Sequence, residues 1–405
     1  MPKIKPEIET FARIKVIGVG NSGGNSVNHM INSKVKGVDF IAIDSDAQKL
    51  HYSLASKKIH IGKNLTKGLG AGMNPDIGRQ SAEETRESIQ EVLKGEDMVF
   101  IACGFGGGTA SGAAPVVARV AKEQGILTIG VVTRPFSFEG LQRLRIAETS
   151  LADLRDSVDT MIVIPNDRVL SLVEKETSFL SAFKMCDEIL RQAVEGISDL
   201  ITIPGIINVD FADVRTIMQN AGSALMGIGF SQGEDRAKKA AHMAINSPLL
   251  DISIDGAKGV LFAISGSEDM TMVEIQEAAN IITESIDPEA RVIFGALNDD
   301  RLKKGEIKVT VIATGFPDTK NSGKKSSLFQ QQAQTASKEQ PALTSLPENP
   351  SSIRREGLSP RTESLNNNFG VAPLSQQQKD KEMNSDDEDD SSWDAIPAFL
   401  RRKKN

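Results

Sequence analysis

Residues 104–112 read Gly-Phe-Gly-Gly-Gly-Thr-Ala-Ser-Gly (GFGGGTASG), directly after the apolar run Met98–Ala102 and directly before a helical pattern that opens after Ala113. A strand, a glycine-dense turn and a helix N-terminus in that order form an anion cradle: backbone N–H groups converge on the ligand, and the helix end adds favourable partial charge. Thr109 and Ser111 add hydroxyl donors. A tight strand-to-helix turn needs one or two glycines, whereas five in nine residues leave the backbone open to a close-lying polyphosphate. The run predicts a nucleotide site in an α/β fold.

Working upstream, Gly18-Val-Gly-Asn-Ser-Gly-Gly24 follows the strand Ile14–Ile17 and precedes a helix through Val27 and Ile31. Gly18, Gly20 and Gly23 spell GxGxxG, and Asp44 ends the next strand, Phe40–Ile43, at the spacing of a dinucleotide fold. Taken alone, that motif indicates an NAD-dependent Rossmann oxidoreductase. A dinucleotide enzyme, however, has no use for a second, denser cradle two strands on; a triphosphate held from two sides does. Further elements fit the same pattern: a helix over Ala82–Leu93, strand Leu127–Val132, and strand Met161–Ile164 closing the set. Apolar strands separated by helices predict a parallel sheet covered on both faces.

Ser178–Ile203 then carries one long amphipathic pattern, with Phe179, Phe183, Cys186, Leu190, Ala193, Ile197 and Leu200 at helical spacing. A second α/β unit follows: helix Val214–Asn220, strand Gly259–Ile264, helix Met272–Ser285, and strands Arg291–Leu297 and Glu306–Thr314. Past Pro317 the chain turns to Ser, Gln, Lys, Asn and Pro, too few apolar groups to offset ordering entropy. The expected organisation is a flexible stretch 1–10, a nucleotide domain 11–177, a connecting helix 178–203, a second α/β domain 204–316, a disordered linker 317–390 and a terminal peptide 391–405. In that peptide Trp393, Ile396, Pro397, Phe399 and Leu400 form an apolar stripe before the basic end Arg401–Lys404, suited to docking in a partner's groove.

Bulk composition narrows the classes. Of 405 residues 39% are hydrophobic, and a formal charge of −7 gives no general attraction to nucleic acid or anionic lipid. Cys103 and Cys186 stand apart in apolar stretches, as buried reduced thiols do. The first residues lack an apolar signal core, and no run reaches the roughly 20 apolar residues of a membrane helix, so a cytoplasmic, unexported chain is expected. His29, His51, His60 and His242 lack ligand spacing with the cysteines, so any metal should be a hard cation on phosphate.

The cradle GGGTASG (Gly106–Gly112), together with IKVIGVG (Ile14–Gly20), GLGAGMNP (Gly68–Pro75), GVVTRPFSFEG (Gly130–Gly140), IVIPNDR (Ile162–Arg168), IINVDFADV (Ile206–Val214) and GSALMGIG (Gly222–Gly229), resembles the tubulin/FtsZ GTPase family, in particular its bacterial cell-division members. The resemblance covers Phe11–Phe316 and resumes at Asp394–Arg401. It implies GTP or GDP with Mg²⁺ and K⁺, no metal-binding side chain, and self-assembly into filaments of the division ring at mid-cell. Gly20, Asn21, Ser22, Gly23, Gly24 and Asn25, with Gly104, Gly106, Gly107, Gly108, Thr109 and Ala110, would then hold phosphates. Ala71, Gly72, Met73 and Asn74 would lie near the γ-phosphate, and Glu139 and Arg143 on the ribose and phosphate side. Asn166 and Asp187 would hydrogen-bond guanine, with Phe183 stacked on it. Asp187 suits that role, since a carboxylate accepts from both N1–H and the exocyclic amine of guanine, a donor pair adenine lacks.

Four departures from the family's usual pattern stand out: Asn21-Ser22 where glycine is common, Ala110-Ser111 in place of Gly-Thr, Phe105 in place of Met, and Asp44 in place of Asn. If position 110 required a positive φ, alanine there would cost about 1 kcal/mol.

The resemblance further implies that Asn208, Asp210 and Asp213 serve hydrolysis. From Asp187 to Thr202 a helix rises ~25 Å, so these acids and the base-binding residues belong to opposite ends of one subunit. A loop that must reach a neighbour's nucleotide makes a heterologous, open interface, a head-to-tail filament. Helix capping by Asp210 or Asp213 is the plain alternative. For the tail, DAIPAFLRR implies docking to membrane-tethering division proteins. The remaining rivals are a GTP-binding structural polymer with little hydrolysis and the NAD oxidoreductase.

Overall fold

The computed structural model describes residues 12–170, 178–247, 254, 256–299 and 301–316. The expected flexible N-terminus, linker and terminal peptide, with Trp393, Ile396, Pro397, Phe399, Leu400 and Arg401, lie outside the described residues.

In chain order the elements are β1 (Ile14–Val19), α1 (Gly20–Asn32), β2 (Asp39–Asp44), α2 (Ala47–His51), β3 (Lys57–His60), α3 (Lys63–Thr66), α4 (Pro75–Glu84), α5 (Arg86–Leu93), β4 (Met98–Gly104), α6 (Thr109–Glu123) and β5 (Leu127–Arg134). There follow α7 (Leu141–Arg155), β6 (Thr160–Pro165), α8 (Asn166–Leu170), α9 (Phe179–Thr202), α10 (Phe211–Met218), β7 (Gly222–Gln232), α11 (Arg236–Ile245), β8 (Gly259–Gly266), α12 (Met272–Glu284), β9 (Arg291–Asn298) and β10 (Glu306–Thr314).

The strands form one sheet in the order β3-β2-β1-β4-β5-β6-β7-β10-β8-β9. Pairing is parallel from β3 through β7, turns antiparallel on both sides of β10, and is parallel again between β8 and β9. The expected strands are all present, but β6 does not close the set: Thr160–Ile162 pair with Gly222–Ala224 of β7, so the sheet runs on into the second half. The expected helix Ala82–Leu93 is instead the end of α4 and the whole of α5, broken at Thr85, whose φ of −110° and ψ of 17° leave the helical region.

Alternation along the strands splits the core into layers. One face of β1, β4, β5 and β6 (Val16, Phe100, Ile129, Ile162) packs on α9 through Cys186, Leu190, Ala193, Ile197 and Leu200, and α9 continues beneath Met226 of β7 and Leu261 of β8. Ile17, Ile41 and Ile101 face the other way, onto the alanine-rich α6. In the second half α11 and α12 cover Phe262, Val309 and Val311. Charge ties α9 to that half: buried Glu195 accepts from Arg191 Nη1 at 2.6 Å, pairs with Arg301, and lies 3.6 Å from Lys308 Nζ. One helix thus spans both halves.

Candidate functional site

The carboxyl ends of β1, β2, β4, β5 and β6 all lead to one edge of the sheet, where ligands of parallel α/β folds bind. Both cradles sit there, each opening a helix. β1 enters α1 through Gly20 at φ +71°, and a Cβ on Gly20 would lie 3.1 Å from that of Ala110, so the two loops touch back to back. A Cβ on Gly108 would come within 2.7 Å of Asn74 N, which shows how tightly the 71–74 turn is pressed onto the second cradle. That turn passes through two left-handed residues, Gly72 and Met73 (φ 54° and 61°), and Asn74 Oδ1 then caps α4 by accepting from Asp76 N–H at 2.9 Å.

Between the loops lies a cleft of ≈ 310 Å³, lined by Gly20, Asn21, Ser22, Gly104, Phe105, Gly107, Gly108, Thr109, Ala110, Thr133, Pro135, Glu139, Arg143, Asn166, Phe183, Cys186, Asp187 and Leu190. Most of the expected nucleotide residues meet in it. Gly24 and Asn25 line an adjoining cavity of ≈ 140 Å³ that shares Gly20 and Asn21 with the cleft. Gly23 is packed against the carbonyl of Ala102, and Ala71–Asn74 back the second cradle without lining the cleft. Ser111 also stands back: its Oγ accepts from Gly106 N–H at 3.1 Å and shapes the loop from within. Thr109 Oγ1 lies 2.6 Å from Ser45 Oγ, which joins the end of β2 to the start of α6.

Ala110 occupies the first turn of α6; the positive φ of this loop falls on Gly106, at +99°. The alanine therefore introduces no backbone strain. Thr133, Pro135, Cys186 and Leu190 also line the cleft, beyond the residues that the sequence pattern points to. The first two follow from the rule that strand ends build the site; the last two lie one helical turn apart on the α9 face that carries Phe183.

Two helix N-termini, α1 and α6, converge on the phosphate side, and each carries partial positive charge. At the rim the Arg143 guanidinium lies 3.4 Å from Glu139, whose other oxygen accepts from Phe136 N–H at 2.9 Å. The far wall is suited to a base. Phe183 stands edge-on to Phe136 with ring centres 5.1 Å apart. Asn166 is buried, and its Oδ1 has no hydrogen-bond partner among the described residues, an acceptor left for a ligand. Asp187 Oδ1 accepts from the Ser26 hydroxyl at 2.6 Å; burial raises its pKa, against the opposing pull of Ser26 and His29. Burial also pushes the Cys186 thiol up to about 12, so it is an inert part of the wall.

Asn208, Asp210 and Asp213 do not join this cleft. They follow the C-terminal end of α9, and all three are exposed. Fifteen residues of unbroken helix separate Asp187 from Thr202, a rise of about 22 Å. Asn208 Oδ1 accepts from Gly205 N–H at 2.6 Å. Asp210 occupies the N-cap position of α10 but its side chain makes no capping bond, and Asp213 sits in the first turn. Neither carboxylate makes a side-chain hydrogen bond or ion pair among the described residues, so what each gives α10 is charge at its N-terminus. Among the described residues no helix is long and apolar enough to cross a membrane.

Residues 13–174 match the model of the Tubulin/FtsZ family GTPase domain, and residues 222–317 that of the FtsZ family C-terminal domain. Among solved structures, the chain is similar to an empty FtsZ dimer from M. jannaschii, at 46% identity over 76% of this chain and 89% of that one, with a TM-score of 0.73. It shares its fold with CetZ2 from Haloferax volcanii, solved as a GTPγS-bound protofilament, at 19% identity over 76% and 94% of the two chains (TM-score 0.65). The GDP-bound monomer of CetZ1 from the same organism is alike in fold, at 20% identity over 76% and 95% (TM-score 0.66).

Proposed function

The chain belongs to the tubulin/FtsZ GTPase family, and from that premise we propose that it polymerises head to tail with GTP, each subunit completing hydrolysis in its neighbour's cleft. One observation carries this: a cleft with base-sized walls stands at one end of α9, and two exposed, unpartnered carboxylates stand at the other. A single subunit holds both halves and cannot join them. A second copy stacked in the same sense can, and the stacking repeats without closing.

Within the joined site the helix ends of α1 and α6 and the backbone of both cradles hold the phosphates, and Asn166, Phe183 and Asp187 select guanine. Mg²⁺, with K⁺, carried on phosphate oxygens would neutralise charge developing at the γ-phosphoryl group. Asp210 and Asp213 of the incoming subunit orient and polarise the attacking water, and Asn208 shapes their loop. Exposed apolar groups favour stacking: Leu69 is 86% and Tyr52 69% exposed near the cleft, and Ile206 is 61% exposed in the acidic loop. A nicotinamide chemistry has no place in this family. A polymer that binds GTP but scarcely hydrolyses it draws no support from Ala110, which sits unstrained in α6.

On the same footing the filament is that of a bacterial division ring in the cytoplasm, and the terminal peptide (Trp393, Ile396, Pro397, Phe399, Leu400, Arg401) docks on membrane-tethering partners. Pelleting and phosphate release with GTP, ATP or no nucleotide, across protein concentrations, test the proposal. GTP-specific pelleting with turnover rising steeply above a threshold concentration supports it. Turnover proportional to concentration, or pelleting without phosphate release, rejects it.

A further inference from the structure

Asp44 is the last residue of β2 and only 6% exposed. Its carboxylate has no ion-pair partner among the described residues, and accepts from the N–H of Asp46 at 3.1 Å. It helps to line the ≈ 140 Å³ cavity whose opposite wall is Gly20, Asn21, Gly24 and Asn25 of the first cradle. Gly20 and Asn21 are also wall of the main cleft, so the carboxylate lies directly behind the loop that meets the phosphates. The adjacent Ser45 is hydrogen-bonded to Thr109 at the mouth of the second cradle. A buried acid thus stands behind the first anion cradle, next in sequence to the serine that bonds the second, and an anion there opposes the ligand charge that both helix N-termini attract.

We propose that Asp44 takes up a proton when a nucleoside polyphosphate enters the cleft, so that nucleotide affinity is linked to pH through this one residue. The proposal rests on the GTP-binding reading above. The balance is simple: one proton moves from solvent to a carboxylate oxygen, removing one negative charge beside the incoming phosphates. In the free protein burial already pushes Asp44 up to about 6, opposed by the Asp46 and Ser45 N–H groups. A polyphosphate close by raises proton affinity further, and by linkage the protonated protein binds the nucleotide more tightly. Affinity therefore falls as pH rises through the range between the free and bound pKa values.

The other charged neighbours are few. Asp46, which caps α2, adds repulsion; His60, paired with Asp44 across β2 and β3, opposes it; and Lys49 of α2 lines the same cavity. From α1 only Gly20, Asn21, Gly24, Asn25 and Asn28 reach the cavity, none of them titratable. Asp187, at the base end, works in the opposite sense, since protonation there removes an acceptor for guanine. Its contribution is the same in any Asp44 variant and cancels in the comparison.

The experiment measures affinity for a slowly hydrolysed GTP analogue between about pH 6 and about pH 8 with the full chain and with Asp44→Asn, which keeps the acceptor for Asp46 N–H. If the bound nucleotide raises Asp44 by about one unit, wild-type affinity falls about fivefold more than that of the variant over this range. Calorimetry near pH 7 in two buffers of different ionisation enthalpy should show greater proton uptake by the wild type. Asp44→Ser serves as a second carboxylate-free chain should the first fold poorly. Equal pH profiles and equal proton uptake in wild type and variant overturn the proposal. Absence of binding by every chain at every pH overturns instead the GTP-binding reading.

Discussion

The two ends of α9 are built on opposite principles. At the nucleotide end three loops press together so closely that single Cβ atoms have no room, and the functional groups are held by one another: Asp187 by Ser26, Glu139 by Phe136, Thr109 by Ser45. At the other end Asp210 and Asp213 stand exposed, held by nothing but their place on α10. The exposed pair makes no side-chain hydrogen bond or ion pair among the described residues, so both carboxylates are open to a second molecule, and the proposed head-to-tail site rests on that contrast.

The sharpest way to break this comparison is Asp213→Ala. Turnover in assembled protein should fall on the order of 10²-fold or more, while nucleotide binding persists and stability moves by less than about 0.5 kcal/mol. Phosphate release and denaturant melts read both, and undiminished hydrolysis would remove the acidic loop from the reaction. Mixing Asp213→Ala with Asp187→Ala sharpens it further: each supplies the half the other lacks, so the mixture should recover turnover that neither shows alone.

Packing at the nucleotide end is tested by Gly112→Ala. Its Cβ would fall 1.9 Å from Pro75 O, where α4 crosses α6, so a loss of about 3 kcal/mol in denaturant unfolding is expected, with binding lost alongside. An alanine tolerated there would mean the loops are not tightly apposed.

Asp44→Asn in the free chain comes next. Its folded pKa of about 6 lies above the ordinary aspartate value of 3.8, so any stability it contributes is complete below the lower value and lost as pH rises through the upper. The variant should exceed wild type by up to about 3 kcal/mol near pH 7 and match it near pH 4. Thermal melts at the two pH values decide, and equal melting at both would show the carboxylate to be solvated. The smallest effect belongs to Ser26→Ala. It removes a bond worth about 1 kcal/mol from Asp187, lifts that acid's pKa further, and should weaken GTP binding less than tenfold, most visibly as pH falls.

Much of the fold was legible in the chain. Strands such as Met98–Ala102 are continuous apolar runs, and the glycine clusters mark strand-to-helix turns at the ligand edge. β7 is not legible in the chain, and its sequence explains why: Gly222, Gly227 and Gly229 in GSALMGIGFSQ carry the signature of turns. In the fold, a Cβ at 227 or 229 would fall about 2 Å from a carbonyl of α11, so these glycines permit a helix to lie on the strand. The break at Thr85 was equally invisible, since 82–93 keeps helical periodicity across it. Within the site, Ser111 and Asn74 each accept from nearby backbone, contacts that local spacing does not reveal.

What the sequence determined by itself is local chemistry: two backbone cradles at helix starts, one long amphipathic helix, and an acid pair beyond it. Those follow from glycine's missing side chain and from helical and strand periods, which act over a few residues. Only the tertiary structure decided that β6 and β7 join the halves into one sheet, that Ala110 is unstrained because Gly106 takes the positive φ, and that Asp44 is buried behind the first cradle. Each of these depends on which surfaces exclude water together, and that is a property of the packed chain.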